Sequence, residues 1–160
     1  MDRYTEALAR YPNAKFSFVG HSNGTYLVGS ALRRYAACKF DRLVLAGSVL
    51  PRDFEWKTYV ESGRVCAIQN YVATADWVVA WFPAFFEFMA NLVGGKADLG
   101  SAGHNGFLDD VARRYMVWCV QGDHGAAISA QTGGNAAMSN LARFALGQEV
   151  FAQDVPNYAP

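Results

Sequence analysis

The sequence predicts an α/β layered fold, a mostly parallel sheet with helices on both faces. Short apolar runs that read as strands alternate along the chain with segments of helical period. Those runs, Phe16–Val19, Arg42–Ala46, Val65–Tyr71 and Tyr115–Val120, are nearly continuous in apolar residues, as in strands covered on both sides. With 160 residues, 52% of them hydrophobic, the chain builds one domain with a sizeable core.

The elements follow in order. Tyr4, Leu8 and Tyr11 stand at helical spacing in Asp2–Tyr11, and Pro12-Asn13 closes that helix. Phe16–Val19 is a β-prone run entering a turn bracketed by glycines. From Asn23 onward Tyr26, Leu27, Ser30, Ala31, Arg34 and Tyr35 recur at helix period. The Arg42–Ala46 strand leads through a short helix at Asp53–Glu61 to the Val65–Tyr71 strand. Next come a hydrophobic helical segment, Trp77–Val93, a glycine-rich loop, Gly94–Gly106, and a short polar helix at Leu108–Arg113. Tyr115–Val120 is the last strand, and Asn135–Leu146 a closing helix ended by Gly147. Residues 1–150 form the domain and 151–160, with Pro156 and Pro160, a frayed tail.

The 14 basic and 14 acidic residues cancel, so no field attracts nucleic acid or an anionic membrane, and a neutral small-molecule substrate fits better. Cys38, Cys66 and Cys119 lack metal-ligand spacing, and the last two lie in apolar runs; they read as buried, reduced thiols of a cytoplasmic protein. The first residues, Met1 to Glu6, have no apolar core of the kind a signal peptide needs. Trp77–Val93 is apolar enough to suggest a membrane span, yet Pro83 and Glu87 interrupt it, and it falls short of the ~20 residues a span takes. Its aromatic residues, Trp81, Phe82, Phe85, Phe86 and Phe88, read as core packing or as the wall of an acyl pocket.

The chemistry centres on Gly20-His21-Ser22-Asn23-Gly24. A Gly-x-Ser-x-Gly match alone is weak, but here a strand runs directly into Gly20 and a helix runs out of Asn23. Glycines two residues before and after the serine suit a sharp turn that larger side chains would crowd. The helix N-terminus presents free N–H groups and a positive dipole end to the serine, so the Asn23 N–H is the expected oxyanion donor. The competing reading is a glycine-rich strand-to-helix turn with an inert serine.

This arrangement, with further strands carrying an acid and then a histidine, resembles the α/β-hydrolase superfamily, particularly its serine esterases and lipases. The resemblance implies a Ser-His-Asp triad in the order serine, acid, histidine, with no cofactor and no metal. Asp76, just past the Val65–Tyr71 strand, is the expected acid; its other role would be to cap the helix starting at Trp77. His124 follows the last strand directly and is the expected base. His104, in Gly103-His104-Asn105-Gly106, is the alternative base: it lies nearer Asp76 in sequence, but no strand leads into it. His21 would point away from the serine, while Asp123 and Asp53 are lesser candidates for the acid.

The resemblance also implies strands before the elbow, one of whose loops donates a second oxyanion N–H. The 21 residues before Ser22 hold one helix and one strand, so the chain reads as the C-terminal half of such a domain, N-terminally truncated to about four strands. An open sheet edge with exposed apolar surface, and hence homo-oligomerisation or a missing N-terminal half as partner, is expected. The expected function is hydrolysis of carboxylic esters or related acyl compounds. Alternatives are a non-catalytic remnant or interaction domain with an incomplete oxyanion hole, and an acyltransferase or haloperoxidase on the same fold.

Overall fold

The computed structural model describes residues 2–73, 115–120, 128 and 134–148. Helix α1 (Asp2–Arg10) precedes strand β1 (Ser17–His21), helix α2 (Asn23–Arg34), strand β2 (Phe40–Ala46), helix α3 (Trp56–Glu61) and strand β3 (Val65–Ala73). Strand β4 (Tyr115–Val120) and helix α4 (Gly134–Ala145) complete the described elements. The four strands pair in sequence order, β1-β2-β3-β4, and every pair is parallel. This is the α/β fold with a parallel sheet that the sequence predicts, and each strand falls within two residues of its predicted place.

The central strand explains the layering. Leu43, Val44, Leu45 and Ala46 are all fully buried, so consecutive residues, which face opposite sides of a sheet, are both covered. On one side Phe18, Leu43, Leu45 and Ile68 pack with Val28 and Leu32 of α2 and Tyr59 and Val60 of α3. On the other, the Arg42 guanidinium lies 4.9 Å from the Phe144 ring centre, and Leu141 and Phe144 of α4 are buried. Helices thus cover both faces. Burying one such leucine contributes about 1.5–3 kcal/mol, so β2 anchors the sheet.

Strand β1 is an edge of the described sheet, and Val19 on it is 45% exposed. Among the described residues no helix is long and apolar enough to cross a membrane; the Trp77–Val93 segment lies outside them.

Two expectations need correction, the start of α3 and the burial of Cys66. The buried stripe of α2 is Thr25, Val28, Gly29 and Leu32, and Leu27 and Tyr35 are exposed. Gly29 faces the core because a Cβ there would stand 2.6 Å from Leu50 Cδ2, a contact only hydrogen allows. Helix α3 starts at Trp56 rather than Asp53, because Pro51 opens a turn in which the Phe54 N–H donates to the Pro51 carbonyl at 3.1 Å. Cys66 is exposed, unlike the buried Cys38. It precedes Ile68, where pairing with β4 begins, so no β4 residue covers that end of β3.

Helices α2 and α3 are clamped by a charged pair. Arg33 donates Nε to Glu55 Oε1 at 2.9 Å and Nη2 to Oε2 at 2.8 Å, Tyr59 OH donates to Oε1 at 3.2 Å, and the guanidinium lies 4.7 Å from the Phe54 ring centre. The hydrogen bonds from Arg33 lower the Glu55 carboxyl from its ordinary 4.5 to about 2. A folded pKa below the unfolded one means that the pair stabilises the fold above about pH 4.5 and that this contribution is lost as pH falls toward about 2. Urea midpoints measured across that window should fall with pH in the wild type and fall less steeply in Glu55→Gln.

Candidate active site

One residue, Ser22, separates β1 from α2. Its backbone sits at φ 51°, ψ −118°, making it the sole non-glycine residue of positive φ among the described residues. That pair lies outside even the small left-handed helical region open to L-residues, and such conformations cost about 1–3 kcal/mol. They persist where the surroundings over-determine them. Here the Ser22 N–H donates to the Ala46 carbonyl at 3.0 Å, carrying the β1–β2 pairing one residue beyond the strand. The Ser22 carbonyl accepts from the Thr25 N–H at 3.0 Å and from Thr25 Oγ1 at 2.6 Å. Both peptide units flanking the serine are therefore held from outside.

The two motif glycines do different work. A Cβ on Gly20 would lie 2.7 Å from Phe18 Cε1 and 3.1 and 3.2 Å from the carbonyl carbon and oxygen of Gly24, so the strand and the incoming helix touch there backbone to backbone. A Cβ on Gly24 meets nothing within 4 Å. The expectation that both glycines relieve crowding holds at Gly20 and not at Gly24.

An ordinary N-cap serine lies in the β region and accepts a hydrogen bond from the first turn of its helix. Ser22 occupies the N-cap position without that bond, so its hydroxyl is not engaged in capping. Asn23 opens α2, and its N–H donates to no described residue; its Oδ1 is buried without a partner among them. The first turn of α2 holds no acidic residue, while Arg33 and Arg34 lie in its last turn. Nothing in that turn offsets the positive end of the helix, which suits developing negative charge beside Ser22.

Parallel pairing sets where the rest of a site can form. His21, Ala46, Tyr71 and Trp118 stand in one row across β1 to β4, so all four strands end on the rim that carries Ser22. Asp76 and His124 follow the ends of β3 and β4 by a few residues, but Asp76, His104, Asp123 and His124 lie outside the described residues. His21 is half-buried and alternates to the face opposite Gly20, on the side of α4. Asp53 is exposed in the turn before α3. Among the described residues no three histidine, cysteine or acidic side chains cluster as metal ligands.

A cavity of about 580 Å³, lined by Tyr4, Leu8, Phe16, Lys39, Phe40 and Cys66 among others, opens at the other end of the sheet. Ligands of open α/β sheets bind at the carboxyl ends of the strands, so this cavity is not part of the Ser22 site.

Thr25 is the residue that pattern reading misses. It is fully buried, and besides its bond to Ser22 its Oγ1 accepts from the Val49 N–H at 3.1 Å, tying the elbow to the loop after β2. The available signal was a hydroxyl at positions i, i+3, i+4 and i+7 with Val28, Gly29 and Leu32, a stripe whose small members hide its buried character. No protein-family model, curated protein or solved structure matches the chain.

Two substitution pairs test the elbow. Ser22→Gly should be more stable than Ser22→Ala by about 1 kcal/mol in urea titrations, because glycine adopts the positive-φ backbone freely and alanine does not. Gly20→Ala should lose about 1–3 kcal/mol by overpacking, and Gly24→Ala should stay within about 0.5 kcal/mol of wild type or gain.

Proposed function

We propose that this chain is a serine hydrolase of the α/β-hydrolase type, acting on carboxylic esters or related acyl substrates, with Ser22 as nucleophile. The observation that carries the reading is the strained backbone of Ser22, held at φ 51° between a parallel strand and a helix N-terminus, with its hydroxyl released from capping. Strain of this kind, fixed by hydrogen bonds on both sides, serves a serine that must project from the turn, and an inert serine gains nothing from it.

In the proposed reaction His124 accepts the Ser22 hydroxyl proton as Oγ attacks the acyl carbon. The Asn23 N–H stabilises the resulting oxyanion, and Asp76 orients the imidazolium. The tetrahedral intermediate expels the alcohol, which takes the proton from His124, and water then repeats the cycle on the acyl-enzyme to release the acid.

Chain length supports the partners. Adjacent strands lie about 4.8 Å apart, which places the ends of β3 and β4 roughly 10 and 14 Å from β1. The three residues from Ala73 to Asp76 and the four from Val120 to His124 span up to about 10 and 13 Å when extended, and the side chains add reach. No described strand ends within a few residues of His104 in sequence.

Hydrolysis of p-nitrophenyl butyrate by the full chain tests the assignment. Ser22→Ala and His124→Ala should each lower kcat by about 10³-fold or more and Asp76→Asn by at least about 10²-fold, while His104→Ala stays within about threefold. Full activity in Ser22→Ala would overturn the reading, and loss in His104→Ala with retention in His124→Ala would exchange the base.

A further inference from the structure

Thr25 does more than pack. Its hydroxyl is buried and used twice, donating to the Ser22 carbonyl at 2.6 Å and accepting from the Val49 N–H at 3.1 Å. The Ser22 carbonyl belongs to the same peptide unit as the Asn23 N–H. In a trans peptide these groups point to opposite sides of one plane, so whatever orients the carbonyl also orients the N–H. The chain of bonds runs further: Val49 lies just past Gly47, whose N–H donates to the Tyr71 carbonyl of β3 at 3.3 Å. The direction of the Asn23 N–H is thus referred, through Thr25 and the loop after β2, to the middle of the sheet.

We propose that Thr25 is a positioning residue of the acyl-transfer site, whose hydroxyl holds the Ser22–Asn23 peptide so that the Asn23 N–H faces the developing oxyanion. The proposal rests on the serine-hydrolase reading and adds to it how the oxyanion donor is aimed. Electrostatic stabilisation of an oxyanion depends on donors fixed before reaction, and loss of one such donor typically lowers kcat about 10²–10³-fold. Loosening a donor, rather than removing it, should give a smaller effect of the same kind. Ground-state binding, in which the substrate carbonyl carries little charge, should change little.

The test compares Thr25→Val, Thr25→Ser and Thr25→Cys in the full chain with p-nitrophenyl butyrate, circular dichroism monitoring the fold. Thr25→Val keeps the shape and deletes the hydroxyl; kcat should fall by about 10- to 100-fold with KM within about threefold. Thr25→Ser restores the hydroxyl and should keep kcat within about threefold of wild type, whereas Thr25→Cys, a weak hydrogen-bonding isostere, should be slower than Thr25→Ser. If Thr25→Val does not fold, the serine and cysteine variants carry the comparison. Wild-type kcat in a folded Thr25→Val, or equal kcat in Thr25→Ser and Thr25→Cys, would overturn the positioning role while leaving Ser22 as nucleophile. Undiminished hydrolysis by Ser22→Ala would instead remove the reading beneath it, and the proposal with it.

Discussion

The hydrogen bond from the Ser22 N–H to the Ala46 carbonyl is the constraint on which the site depends. It extends the register that pairs Gly20 with Leu45 and His21 with Ala46 past the end of β1, at the point where the chain must turn into α2. The serine cannot relax to an ordinary N-cap geometry without giving up that bond, and its carbonyl is held on the helix side by Thr25. The unusual dihedral angles are a consequence of two fixed peptide units with one residue between them.

The core bears the load. Leu43, Val44, Leu45 and Ala46 bury both faces of β2, and Val28, Leu32, Leu50 and Phe54 close the layer between α2 and the sheet. Each large aliphatic group contributes about as much as the strain at one serine costs, so a handful of core contacts is enough to hold it. Close approach matters as much as area. Gly20 lets the strand touch the backbone at Gly24, and Gly29 lets α2 settle against Leu50 and Phe54. Arg64 secures the far end of the same helix, donating to the Leu32, Tyr35 and Cys38 carbonyls.

The strands and the elbow are legible in the sequence because their signals are local. Four apolar runs separated by helical segments admit few arrangements other than a parallel sheet, and two glycines around a serine at a strand end define a sharp turn. What escapes is set by tertiary contact. The inward face of α2 is not legible along the chain because Thr25 and Gly29 carry little hydropathy, while the apolar Leu27 and Tyr35 are exposed. Asp53 falls within a predicted helix, yet the turn at Pro51 leaves it exposed ahead of α3. Cys66 sits in an apolar run that starts before its pairing with β4 does. The role of Thr25 depends on Val49, and no pattern along the chain records that meeting.

The most direct measurement is covalent labelling of the full chain by a fluorophosphonate, with the modified peptide identified by tandem mass spectrometry. Labelling confined to Ser22, and absent from Ser22→Ala, is the result expected of a strained nucleophile at a helix N-terminus. Labelling of another serine, or none under conditions that fully label a control esterase, would contradict the account.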